Sequence, residues 1–246
     1  LIYTSDFFPL FTLNKDDGIL SPTCMTLDPE GYLFVGQSTS YNHPRARISI
    51  FNPCLKWKKD IHFEGFEGAE KFVPKNIALD KEGKIYVAGT NHVGIIILDK
   101  QSGFLSSIKP VDEFMGTKTK VTIVDVEIDR NGKIYLLSEE RGRVYVYDTR
   151  GEFLFKFGEK GGSSGKLSRP RGITVDTLRD AIYIIDYMRH AANVYSATSG
   201  EFLFEFGGKG WGKGWFQFPS DICVNREGQV LVADTFNDRI QVFELK

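Results

Sequence analysis

The chain has 246 residues but only three cysteines, Cys24, Cys54 and Cys223. An odd, sparse set with no Cys-x-x-Cys pair excludes a disulfide framework, a zinc ribbon and a haem-attachment motif. No apolar run approaches the ~18 residues of a membrane span, so membrane insertion is not expected. Charge of one sign is also lacking. The 31 Lys and Arg stand against 32 Asp and Glu, a net charge of −1, which argues against a nucleic-acid binder driven by bulk charge. Absent too are an Asn-x-Ser/Thr sequon, a Gly-rich phosphate loop, a cofactor fingerprint and a nucleophile–His–acid constellation. Residue 1 is Leu, not Met, so a processed or trimmed chain is expected, with room for a removed leader.

What is present is repetition. Five segments share a Pro-led apolar strand, an acidic or Asn turn with Gly, and a second apolar strand: 21–36, 73–89, 122–138, 169–186 and 218–234. Their spacing of roughly 50 residues falls in the range of propeller and solenoid repeats. The first strand places large apolar residues at alternate positions, as in Ile77 and Leu79, Ile173 and Val175, Ile222 and Val224, a period of two. Asp80 to Gly83 and Asp129 to Gly132 have tight-hairpin chemistry. The second strand is β-branched and aromatic, as in Ile85-Tyr86-Val87. A third strand follows in each unit, and GEFLFKFG (151–158) and GEFLFEFG (200–207) supply a fourth in two of them.

Such small meanders cannot bury both faces alone, whereas stacking them around an axis can. The expected fold is therefore an all-β propeller of four-stranded antiparallel blades. One domain spans 1–246, with blade cores near 21–68, 69–120, 121–168, 169–218 and 219–246 plus 1–20. The opening strand is expected to complete the last blade and remove an open edge. Six blades is the alternative, if Ile2 to Asp6 belongs to a further blade.

Residues 219–243, PSDICVNREGQVLVADTFNDRIQVF, resemble the NHL repeat family, and the likeness recurs at 169–218. In the looser repeats Gly36, Gly89 and Ser138 stand where Asp186 and Asp234 hold an Asp. The resemblance implies a propeller, usually six-bladed, so a count of five departs from it. It also implies that the Asp and the third-strand Arg, as in Asp234 and Arg239, tie adjacent strands rather than form a site. Stand-alone propellers of this kind are often exported, so a secreted or periplasmic location is the expectation. Peptidyl amidating lyases with NHL-like repeats carry metal-binding His directly after the repeat's Pro. Here those positions are Thr23, Lys75, Arg171 and Ser220, which disfavours that activity.

Function can sit in three places. One loop rim is cationic and aromatic, with Lys75, Arg171, Tyr187, Arg189, His190 and Trp211 as binding candidates. It suits a protein partner or an anionic ligand. Some relatives bind RNA on such a face, but the modest charge here disfavours RNA. His43, His92 and His190 belong to loops of different units at different offsets, so shared zinc ligation does not follow. The third place is the inner strand. Asn76, Asp125, Glu127 and Asp221 alternate with core residues and could offer oxygens to Ca²⁺ or another divalent cation. Lactonase-type propellers use a Glu, Asn and Asp set near this place, which makes a metal-dependent hydrolase the alternative. The first reading is a non-catalytic interaction scaffold without a cofactor.

Overall fold

The computed structural model of the chain describes residues 2–3, 8–41, 43–114 and 116–244. Five antiparallel meanders follow one another. Blade 1 consists of Pro22–Leu27, Leu33–Gln37, Arg47–Phe51 and Trp57–His62. Blade 2 consists of Val73–Leu79, Ile85–Thr90, Ile95–Leu98 and Phe104–Ile108. Blade 3 consists of Asp125–Ile128, Ile134–Ser138, Arg143–Tyr147 and Phe153–Phe157. Blade 4 consists of Pro170–Asp176, Ala181–Asp186, Ala191–Ser196 and Phe202–Gly207. Blade 5 has three strands, Asp221–Val224, Val230–Asp234 and Arg239–Phe243. Helix is confined to three short 3-10 turns among the described residues, and no helix there is long and apolar enough to cross a membrane.

In blades 1 to 3 the turn between the first two strands is built the same way. In blade 3 the Asp129 carboxylate accepts from the Asn131 and Lys133 amides at 2.7 and 2.9 Å. Asp28 and Asp80 do the same in blades 1 and 2. This Asx turn satisfies amides that the hairpin would leave bare. Gly132 then takes φ +84°, a left-handed conformation that other residues resist.

Two compact units are present, Leu1–His92 with Ile97–Ser106, and Val93–Ile96 with Ser107–Lys246. In the first, the inner strand of blade 2 packs against blade 1, while Met25 and Leu27 of blade 1 remain exposed. In the second, the inner strands of blades 3, 4 and 5 pack in succession. Tyr135, Leu137, Ile173, Ile182 and Tyr195 fill the space between blades 3 and 4. Tyr183, Ile185, Phe216, Ile222 and Val232 fill that between blades 4 and 5. Each fully buried side chain of this size contributes about 1.5–3 kcal/mol.

Blades 1 and 2 have the fourth strands that a four-stranded blade requires, Trp57–His62 and Phe104–Ile108, in segments where no near copy of GEFLFKFG marks them. Two details differ from the sequence expectation. Among the described residues blade 5 keeps three strands, and Ile2–Tyr3 pairs instead with Pro9–Phe11 in a hairpin of its own. Pairing across a few residues costs far less loop entropy than pairing across two hundred. Of the segment considered for a sixth blade, residues 4–6 lie outside those described. The residue of blade 1 equivalent to Asp186 is Gln37, not Gly36, because Pro22 faces Gln37 as Pro170 faces Asp186.

Candidate functional site

At one end of the second unit the loops gather cations and aromatic rings. Arg171, the second residue of its strand, holds its guanidinium carbon 5.2 Å from the centre of the Tyr187 ring, and Arg169 lies 5.7 Å from it. Glu139 accepts from Arg169 Nε at 2.6 Å and stands 3.6 Å from Arg171 Nε. Arg171 is half-buried, with its Nε enclosed and without a hydrogen-bond partner among the described residues, so that Glu139 is the carboxylate beside its charge. Tyr187 stacks on Phe218 at 4.9 Å, and Phe218 on Phe236 at the same distance.

Trp211 is 77% exposed, yet its loop is fastened. Asn237 Nδ2 donates to the Gly210 carbonyl at 3.0 Å, and Arg239 Nη2 to the Gly212 carbonyl at 2.7 Å. Arg239 is itself held by Asp234 at 2.8 Å. The buried Asp234 further accepts from the Gln217 amide, Asn237 and Gln241, and these hydrogen bonds keep its carboxyl below the usual range despite burial. The Asp–Arg pair of the repeat is thus a structural tie whose consequence is a fixed, solvent-facing Trp.

The other rim candidates are placed differently. Arg189 turns inward and bonds the Glu205 carboxylate and the Gly162 carbonyl. His190 is buried, and its Nδ1 accepts from the Phe218 amide at 3.0 Å. Burial, then nearby Lys209, lowers its pKa and favours the neutral ring. Lys75 and Asn76 belong to the first unit, where Lys75 is exposed and Asn76 half-buried. His92 packs there against Phe66 and Phe72.

The inner strands of blades 3 and 5 bring Asp125, Glu127 and Asp221 into electrostatic contact. Burial and the charge of Asp221 raise the pKa of Asp125 well above the ordinary carboxylate value. Its Oδ2 accepts from the Ile173 amide at 2.8 Å. Burial, with Asp221 again adding to it, pushes Glu127 up to about 8. Asp221 keeps solvent access but is walled closely enough for desolvation to raise it as well. Cys223, beside them, is pushed up to about 11 and is no thiolate at neutral pH. Among the described residues no three His, Cys, Asp or Glu side chains form a group that could hold a metal ion.

One feature escaped the sequence reading. Val111–Phe114 and Thr117–Lys120 form a hairpin before blade 3. Asp112 within it is buried and accepts from Lys156 Nζ at 2.5 Å, Arg143 Nη1 at 2.6 Å and the Tyr145 hydroxyl at 2.7 Å. The Asp112 carboxyl lies far below its ordinary range, because these bonds outweigh burial. Lys166, in the loop before blade 4, is likewise paired, with Glu159 at 2.7 Å.

Comparison with known proteins agrees with this architecture. A family described as a 6-bladed beta-propeller matches residues 115–206, and the NHL repeat matches residues 216–243. No curated protein matches the chain. Among solved structures, an auxiliary nutrient binding protein from Bacteroides ovatus superposes with a TM-score of 0.66 at 15% identity, over 92% of this chain and 60% of that one. A Bacteroides thetaiotaomicron protein of unknown function gives 0.65 at 15%, over 89% and 57%. Virginiamycin B lyase from Staphylococcus aureus gives 0.57 at 14%, over 92% and 70%. At such identities the likeness is one of fold.

Proposed function

Because this chain is an NHL-repeat β-propeller, a fold that serves binding, we propose that it is an interaction module whose rim around Arg171, Tyr187 and Trp211 docks a protein partner with an acidic surface. The carrying observation is the exposed Trp211 on a loop fastened at both neighbouring carbonyls. A loop backbone held in place loses little entropy on binding, and Trp, Tyr and Arg dominate interface energetics. Arg171 over Tyr187 adds a cation next to the aromatic surface. Affinity capture with wild type and with a Trp211→Ala, Arg171→Glu chain tests this. Partners recovered by the wild type are expected to be lost by the variant, and equal recovery would reject the rim.

A second reading, a divalent cation along the inner strands and hydrolysis of an ester, would draw on Asp125, Glu127 and Asp221, which are in electrostatic contact; it is the weaker one, because among the described residues they do not form a group that could hold a metal ion. Metal analysis after chelation and redialysis separates the two readings. Stoichiometric Ca²⁺ retained by the wild type and lost by Asp221→Asn favours the hydrolase.

A further inference from the structure

The opposite end of blades 3, 4 and 5 contains a cavity of about 500 Å³, within the size range of small-molecule sites. Its walls are the three hairpins that join the first two strands of each blade. In each hairpin the acceptor that closes the turn is already used. Asp129 holds two amides and the Tyr135 hydroxyl. Asp176 holds the Leu178 amide at 3.0 Å, and Asn225 the Gln229 amide at 2.8 Å.

Every one of these turns also carries an arginine into the cavity wall. Arg130 and Arg226 directly follow Asp129 and Asn225, and Arg179 occupies the longer turn of blade 4. Arg179 is pre-positioned. Its Nη1 donates to Asp176 Oδ2 at 2.7 Å, and its guanidinium lies against Gly228 of the next blade, where any Cβ would collide with it. Arg130 and Arg226 are exposed and make no hydrogen bond or ion pair among the described residues. Glu127 forms part of the floor, and burial keeps it protonated at neutral pH, so the base of the cavity does not repel an anion.

We propose that this cavity binds a small organic oxyanion, a carboxylate or a phosphate ester, held by the guanidinium groups of Arg130, Arg179 and Arg226. A guanidinium matches either group with paired N–H donors. Two arginines without partners and a third fixed against Gly228 are donors awaiting an acceptor, while Asp129 and Asp176 are engaged within their own turns and Glu227 is the one exposed carboxylate in the wall, against three guanidinium groups. The site is distinct from the Tyr187 rim. Arg171 and Asp176 are five residues apart on one strand, a rise of about 17 Å.

The test is calorimetric titration of the full chain at constant ionic strength with succinate and, separately, with inorganic phosphate. Chloride serves as the control. Saturable 1:1 binding is expected in at least one arm, and the arm that saturates identifies the group recognised. Arg130→Gln with Arg226→Gln is expected to weaken it at least tenfold with unchanged thermal unfolding, whereas Arg171→Glu leaves it intact. If the double variant is unfolded, the single variants carry the comparison. Heats no larger than those of chloride in both arms, or wild-type binding by the arginine variants, would overturn the proposal.

Discussion

Replacing Glu127 by Gln is expected to stabilise the protein, and only above mildly acidic pH. Burial, reinforced by Asp221, moves the Glu127 carboxyl from an ordinary 4.5 to about 8. Below 4.5 both folded and unfolded chains hold the proton, and no penalty exists. Between 4.5 and about 8 the unfolded chain has lost it while the folded chain retains it. Folding stability therefore falls with rising pH, by about 1.4 kcal/mol for each pH unit. The full window sets a ceiling of about 5 kcal/mol, and local relaxation reduces this to about 2 kcal/mol at pH 9. Gln has no proton to lose, and its Oε1 can still accept from the Val175 amide and the Thr174 hydroxyl that Glu127 engages. In a chain of this size about 2 kcal/mol raises Tm by about 4–8 °C. Urea unfolding of both chains at pH 5, 7 and 9 measures the difference. It is expected to be small at pH 5 and to grow toward pH 9. Parallel stability profiles for the two chains would refute a desolvated, protonated Glu127.

The hairpin before blade 3 and the cross-link of blade 1 give two more expectations. Asp112→Asn leaves Arg143 and Lys156 without their carboxylate and should cost about 3 kcal/mol, the lower end for a broken buried pair because both cations are partly exposed. As the Asp112 pKa is lowered, its contribution is full above the ordinary carboxylate range and fades as pH falls through the folded value. Acid unfolding should therefore show a shallower low-pH decline in the variant. Gln37→Ala removes bonds to Ser49 Oγ at 2.7 Å, the Leu20 amide at 2.8 Å and the Gly18 carbonyl at 3.1 Å. A loss of about 2–4 kcal/mol in chemical denaturation is expected, since buried partners stay unsatisfied.

The repeats were legible because the hairpin leaves a strong local mark. Asp129 and Gly132 are read from chemistry alone, and the structure gives them the turn that chemistry requires. The fourth strand of blade 1 was not legible. WKKDIH (57–62) lacks a period-two apolar pattern because its first three residues are exposed. Gln37 was missed by one position. A neutral amide does the work of Asp186 in blade 1, and the register became evident only from its pairing with Pro22. The site candidates divide by what sequence can encode. Trp211 faces solvent as loop chemistry suggests, but Arg171 is half-buried against Tyr187 and Arg189 turns toward Glu205, sixteen residues away. Tertiary pairing of that kind has no local signal. Arg130 and Arg226 did carry one, sharing an offset after the turn acceptor. It reads as ordinary loop charge until the three hairpins are seen to wall one cavity.

The near-zero net charge conceals an arrangement along the inner strands of blades 3 to 5. Arg169 and Arg171 lie at one end, Arg130, Arg179 and Arg226 at the other, and Asp125, Glu127 and Asp221 between them. Were all three carboxyls ionised, their field would reach both ends, since a Debye length of about 8 Å screens little within a protein wall. Burial instead raises all three, with the charge of Asp221 adding to it at Asp125 and Glu127, and Glu127, at about 8, is largely uncharged at neutral pH. The arginines at both mouths are then only weakly opposed from within. Steering of anions depends on such local separation rather than on the sum of charges. The same desolvation that costs folding stability at Glu127 therefore preserves the positive potential at the two ends, and a channel filled with ordinary, fully ionised carboxylates would cancel it.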